Sequence, residues 1–136
     1  MKKIEFNKNP SSDDIDFLTR KINDETVEFG SAYPFGIFIR DDDNNLIAGA
    51  NGFVIYGSIY TDQLWVKKEC RGQGYGREIM DKVHEFGKSE GCKIATVQTM
   101  DFQNVANFYR KLGYRTDFKR PGYTSGSSCI FMKKDL

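Results

Sequence analysis

Arg71-Gly72-Gln73-Gly74-Tyr75-Gly76 follows an apolar run and opens a helical repeat, and its alternating glycines can do chemistry through the backbone itself. Glycine at 72, 74 and 76 lets the chain turn sharply and brings amide N–H groups close to a bound group with no side chain in the way. The apolar positions that follow, Ile79, Met80, Val83 and Phe86, keep a 3.6-residue period, so the run ends in a helix. Main-chain donors at the positive end of a helix favour phosphate, and Arg71 could add a charge-assisted contact. The local reading is an anion cradle where a strand becomes a helix, with a purely structural tight turn as the alternative. It lacks the Gly-Lys-Ser/Thr ending of a nucleotide P-loop, and no βαβ unit of dinucleotide-binding length follows it.

The elements that must position this loop are legible on both sides. Residues 3–6 can form a short first strand. Pro10-Ser11-Ser12-Asp13-Asp14 reads as a helix start with a serine cap and acidic first turn, and Ile15, Leu18, Ile22 and Val27 carry one or two helices toward Gly30. Residues 35–40, 46–56 and 59–66 read as strands. Asp41 to Asn45 form a polar turn rather than a metal site, and Gly49 and Gly52 suggest a bulge or a close backbone approach. After the cradle helix, residues 92–100 read as a buried strand. Val105, Phe108, Tyr109 and Leu112 then define a short helix closed by Gly113. Residues 114–118 and 128–133 complete the set. This order predicts one α+β domain over residues 1–136, a mixed and mostly antiparallel central sheet flanked by helices.

Composition excludes several classes. Twenty basic residues against 19 acidic ones leave a net charge of +1, which offers no polyanion-binding surface, so no nucleic-acid partner is expected. No apolar stretch approaches the roughly 20 residues of a membrane span, and the first residues carry no signal-peptide pattern. Cys70, Cys92 and Cys129, with one histidine in the chain, make neither a zinc site nor a disulfide framework; a cytoplasmic, metal-free protein is expected.

A second segment adds to the cradle: Phe102-Gln103-Asn104-Val105-Ala106-Asn107-Phe108-Tyr109-Arg110-Lys111-Leu112-Gly113-Tyr114. In this order the two segments resemble the Gcn5-related N-acetyltransferase superfamily. Residues 71–76 match its acetyl-CoA signature, arginine or glutamine followed by x-x-Gly-x-Gly/Ala. The helix ending at Gly113-Tyr114 matches the later motif, whose tyrosine lies beside the cofactor sulfur. Residues 56–66 and the Phe102-Gln103 pair also look like a poorly characterised bacterial branch. The last loop departs from that branch: Arg120-Pro121-Gly122-Tyr123 stands where a Pro-Pro-Gly-His-like run is common.

The resemblance implies the acyl-CoA N-acyltransferase fold, acetyl-CoA as acyl donor, and direct transfer to a primary amine of an unidentified small acceptor. By carry-over, Leu64, Trp65 and Val66 supply a strand edge to the pantetheine arm. Arg71, Gly72, Gln73, Gly74, Tyr75 and Gly76 hold the pyrophosphate. Asn104 either contacts the cofactor arm or caps the helix. Tyr109 is the expected general acid for the departing sulfur, with core packing beside Phe108 and Leu112 as its other reading. Asp62, a carboxylate on a central strand, could take the amine proton through water, hold an ammonium, or bond a neighbouring loop. Glu28 and Glu25 could line the acceptor side, and Tyr33, Phe35, Tyr60 and Tyr123 could wall the pocket. Glu69 belongs to the cradle rim. His84 is expected at the surface, in a polar turn of the cradle helix. No cysteine is placed as an acyl carrier. A homodimer is possible, and a non-catalytic acyl-CoA-binding or sensing module is the alternative activity.

Overall fold

The computed structural model describes residues 1–136, and its first regular element is a helix rather than a strand. Helix α1 (Ser12–Glu25) starts where Ser11 Oγ accepts from the Asp14 amide at 3.2 Å, with Asp13 and Asp14 in the first turn. The expected strand over residues 3–6 does not form: Ile4 and Phe6 are solvent-exposed and find no pairing edge. A single 3₁₀ turn, Val27–Phe29, leads from α1 to the sheet.

Strands β1 (Ala32–Arg40), β2 (Leu46–Ile55) and β3 (Ser58–Val66) make an antiparallel meander. Asp41 closes the first turn, accepting from the amides of Asp43 and Asn45, and the backbone bond from Asn45 is the main cause holding its carboxyl below the usual range. Helix α2 (Tyr75–Ser89), β4 (Ile94–Met100), α3 (Ala106–Lys111), β5 (Arg115–Arg120) and β6 (Cys129–Asp135) follow. The sheet runs β1-β2-β3-β4-β6-β5, and every neighbouring pair is antiparallel except β3 with β4. This is the mixed, mostly antiparallel sheet flanked by helices that the sequence predicts.

Ile79, Met80 and Val83 of α2 are buried in one cluster with Ala48, Ala50 and Val54 of β2 and Ile59 of β3. The small residues of β2 let the helix approach closely. The core continues through Ala95, Val97, Ile130 and Met132 to Tyr109, Leu112 and Tyr114. His84 corrects the sequence reading. It is buried, with Nε2 2.8 Å from the Tyr114 hydroxyl, because its place on α2 follows Val83 and falls between Met80 and Gly87 on the covered face. Burial, and then the Lys134 charge, lower its pKa to about 4, so the ring is neutral at pH 7.

Candidate active site

Two irregularities in β3 create an opening in the sheet. Opposite β2, Asn51 pairs with Gln63 and Gly52 with Thr61, which leaves Asp62 as the extra residue of a bulge. A Cβ at Gly52 would stand 1.8 Å from the Tyr60 carbonyl oxygen, so only glycine allows that close approach. On the other side, β3 pairs with β4 only from Ser58–Ile94 to Thr61–Val97. Beyond Thr61 the two strands part, and residues 62–66 have a free edge toward β4. The fork points to the cradle.

Residues 71–76 stand at the end of that edge. Gly72 and Gly74 have φ of 77° and 88°, left-handed values that favour glycine, and Gly74 is the N-terminal cap residue of α2. A Cβ at either would meet nothing within 4 Å, so open space lies directly above the loop. The first main-chain bond of α2 runs from the Glu78 amide to the Gly74 carbonyl at 3.0 Å, which leaves the preceding amides without helical partners. Arg71 Nε donates to the Val66 carbonyl at 2.8 Å, tying loop to strand.

A groove of about 760 Å³ joins the two features. Leu64, Trp65 and Val66 form its strand wall; Arg71, Gly72, Gly74, Tyr75 and Gly76 form the cradle wall; Gln103, Val105 and Phe108 close the third side. Cys70 and Arg77 also face it. At the fork, Thr61 Oγ1 and Asn51 Oδ1 are buried with no hydrogen-bond partner. The groove thus offers uncommitted amides at one end and a free strand edge along its length. Those groups fit a diphosphate and an amide-bearing arm. A separate hollow of about 590 Å³ between β1 and α2 takes in Phe35, Lys82 and Glu85, and the two charges there pair with each other. It lies apart from the fork.

The model of the Acetyltransferase (GNAT) family matches residues 4–114. The chain belongs to the GNAT acetyltransferase family. Its similarity to the blasticidin-S acetyltransferase of Streptomyces morookaense is 33% identity over 92 residues, 67% of either chain. A crystal structure of an acetyltransferase from Bacillus cereus superposes with a TM-score of 0.75 at 20% identity, covering 97% of this chain and 98% of that one. A Bacillus anthracis chain crystallised with acetyl coenzyme A gives a TM-score of 0.61 at 20% identity, over 68% of this chain and 57% of that one. This protein is therefore an acetyl-CoA-dependent acetyltransferase that transfers the acetyl group to an amine.

Within this acetyltransferase the sequence-predicted residues divide into two groups. Leu64, Trp65, Val66, Arg71, Gly72, Gly74, Tyr75 and Gly76 share the groove. Gln73 lies on its outer rim, its side chain turned 3.5 Å from the Glu69 carbonyl. Asp62 and Tyr60 meet at the bulge, where the Tyr60 hydroxyl donates to Asp62 at 3.2 Å. Partial burial, then the Asp62 charge, raise the Tyr60 pKa. Tyr123 sits exposed in the loop between β5 and β6, which meets β4 where Ser128 and Asp101 exchange hydrogen bonds.

The second group lies elsewhere. The Tyr33 hydroxyl donates to Glu90 just past the end of α2, which raises its pKa to about 12. Fifteen residues of helix, roughly 22 Å at 1.5 Å each, separate that end from the cradle, so Tyr33 is not a wall of this site. Glu28 stands in the 3₁₀ turn beside the β2–β3 hairpin, where Tyr56 reaches Thr26, and Glu25 ends α1. Asn104 does not cap α3, whose cap residue is Val105; with a left-handed φ of 56° it closes the 3₁₀ turn Asp101–Gln103 instead, its side-chain amide turned back toward the Phe102 carbonyl. Its neighbours Gln103 and Val105 face the groove instead.

Tyr109 is buried between Phe108 and Tyr114, with ring centroids 5.2 and 5.5 Å away and both pairs edge-on. Phe108 lines the groove, and the Tyr109 ring packs edge-on against it with a hydroxyl that makes no hydrogen bond within the chain. Burial pushes the Tyr109 phenol up to about 12, so it keeps its proton at neutral pH. Sequence reasoning missed Cys70, Arg77, Gln103, Val105 and Phe108 as groove residues. Only Phe108 had a usable signal, its adjacency to the motif tyrosine. Gln103 is fixed by accepting from the Met100 amide at 2.9 Å, the capping-box bond of the 3₁₀ turn Asp101–Gln103.

Proposed function

We propose that this acetyltransferase, a single-domain enzyme over residues 1–136, passes the acetyl group directly to a primary amine on a small, cationic acceptor. The observation that carries this reading is the fork: a free β3 edge that begins at a bulged carboxylate and ends at uncommitted helix-start amides. Acetyl-CoA supplies an activated acyl carbon and a thiolate leaving group. The amides of the 72–76 loop grip its diphosphate, and Arg71 adds charge at the rim. The free edge of Leu64, Trp65 and Val66 binds the arm, and main-chain N–H groups near the bulge polarise the carbonyl.

Asp62, held in place by Tyr60, receives the ammonium and takes one proton to free the lone pair before the N–C bond forms. The attacking nitrogen gives its second proton to water as the tetrahedral intermediate collapses. Tyr109 gives its proton to the sulfur as the C–S bond breaks and regains one from solvent. Tyr60 and Tyr123 flank the acceptor. A carboxylate at the bulge supports a cationic amine, and the name of the Streptomyces relative makes blasticidin S the first acceptor to try. The three free thiols suit a reducing compartment, so the cytoplasm is the proposed location. We also propose that the enzyme works as a homodimer.

An acceptor screen followed by free-thiol release tests the reading. A basic primary amine gives saturable release, and Tyr109→Phe lowers the transfer rate about 10²-fold while coenzyme A binding stays within about twofold. Unchanged turnover in that variant removes Tyr109 from the acid role. Tight binding of acetyl-CoA with no turnover on any amine overturns the acceptor assignment.

A further inference from the structure

One face of the sheet carries α2 and the core, and the other bears charge at two separated points near the fork. Alternation along β3 turns Ile59 and Thr61 inward and Tyr60 outward, where its hydroxyl meets Asp62 at 3.2 Å. On β6, Ile130 and Met132 enter the core, so Phe131 faces out beside its partner Phe118 of β5. Gln98 of β4 pairs with Phe131 and faces the same way, its Oε1 3.9 Å from Cys129 Sγ. Asp62 and Gln98 each stand one residue past Thr61–Val97, the last pair of β3 with β4. Asp62, Gln98, Phe131 and Phe118 therefore make one outer row across four strands.

Arg120 lies over the far end of this row. Its guanidinium is 5.6 Å from the Phe118 ring centroid and 5.7 Å from that of Phe131. Rings hold an arginine by its flat face and leave its N–H edges free. Those edges have no protein partner. No carboxylate lies within ion-pair distance of Arg120, whereas Arg115 at the start of β5 pairs with Asp135 at 3.3 Å. Pro121 restricts Arg120 to extended backbone, so chain stiffness adds to the hold of the rings. Lys133 also faces out, but it pairs with Thr96, the partner of Tyr60, where β3 and β4 are still joined. Arg120 pairs with Cys129, which pairs with Met100, on the side toward which the fork opens.

Two strand spacings of roughly 4.8 Å separate Asp62 from Phe131, so its carboxylate and the guanidinium stand on the order of 10 Å apart. A contact of about 3 Å at each end leaves room for a short carbon chain between an ammonium and an anion. An acceptor that is cationic throughout would meet Arg120 as a repulsion. A planar carboxylate matches the free edge of a stacked arginine in two parallel bonds.

We infer that the acceptor is an amine that also carries a carboxylate, its ammonium on Asp62, its carboxylate on Arg120, and the Gln98 amide between them. The inference rests on the direct-transfer reading and narrows its acceptor to amino-acid-like molecules. Arg120 is then the residue that sets specificity, at the far end of the acceptor from the reacting nitrogen.

Thiol release with short ω-amino acids, from β-alanine to ε-aminocaproate, each against its own primary amide, tests it. The full-length wild-type enzyme is expected to favour the carboxylate by about 10- to 100-fold in kcat/KM, mostly through KM. Arg120→Gln brings the carboxylate down to the level of its amide, Arg120→Lys keeps part of the preference, and Lys133→Gln keeps all of it. Coenzyme A binding checks that each variant folds. Turnover of amines with no carboxylate preference, or a preference that survives Arg120→Gln, overturns the inference and leaves direct transfer standing. A preference lost in Lys133→Gln, or an equal loss on both acceptors in Arg120→Gln, overturns it as well. No release with any amine overturns the direct-transfer reading and this inference with it.

Discussion

The N-terminal arm and the unit from β3 through α2 carry equally clear apolar periods and meet opposite fates. In α2 the stripe Ile79, Met80 and Val83 is buried against Ala48, Ala50, Val54 and Ile59. In α1 the stripe Ile15, Leu18 and Ile22 faces solvent while a polar asparagine does the docking. A period specifies that some surface will cover the stripe. It does not say which surface, or whose.

Four measurements break or sharpen that contrast, the largest first. Gly52→Ala puts a Cβ 1.8 Å from the Tyr60 carbonyl oxygen, in backbone that has no far end to swing away. The variant is expected to lose more than about 4 kcal/mol or fail to fold, read by circular dichroism and denaturant melting; a melt within about 1 kcal/mol of wild type would remove the tight bulge from the description. Ile79→Ala in the covered stripe should cost about 2–5 kcal/mol, with the same melting assay as its check.

His84 gives a pH signature specific to the α2 side. Its folded-state pKa of about 4 lies below the unfolded value near 6.5, so the unfolded chain binds the proton first as pH falls. The stability it contributes is whole above about pH 6.5 and is lost progressively down to about pH 4, at most about 3 kcal/mol. Denaturant midpoints measured through that window should fall for wild type, and the part owed to this ring should vanish in His84→Gln. The smallest effect belongs to the arm. Ile22→Ala should change the unfolding free energy of a dilute monomer by less than about 0.5 kcal/mol, because that side chain is already wet. A loss comparable to Ile79→Ala would show that α1 packs on its own chain.

Much of the candidate site is legible in the sequence. The glycine spacing at 72 and 74 reports a left-handed backbone at a helix start, a local property that sequence encodes directly. Gly52 signals a close backbone approach for a different reason, the absence of a Cβ. What sequence could not give was pairing at a distance. Asp62 becomes the extra residue of a bulge only through the register of β2, and the fork exists only because β4 leaves β3 after Thr61. Tyr33 looked like a pocket residue because aromatic type carries no address, and Glu90 claims its hydroxyl at the far end of α2. His84 reads as external by its polar type alone, but its helix position puts it between Met80 and Gly87 on the covered face. Residues 3–6 had strand composition and no edge to join.

The bond from Arg71 Nε to the Val66 carbonyl hitches the glycine loop to the last residue of β3. A long, floppy donor bound as proposed is therefore met at two distant points by one bracket. How firmly the tail is held and how accurately the head is aimed become a single mechanical quantity, and a change at position 71 is felt at both ends.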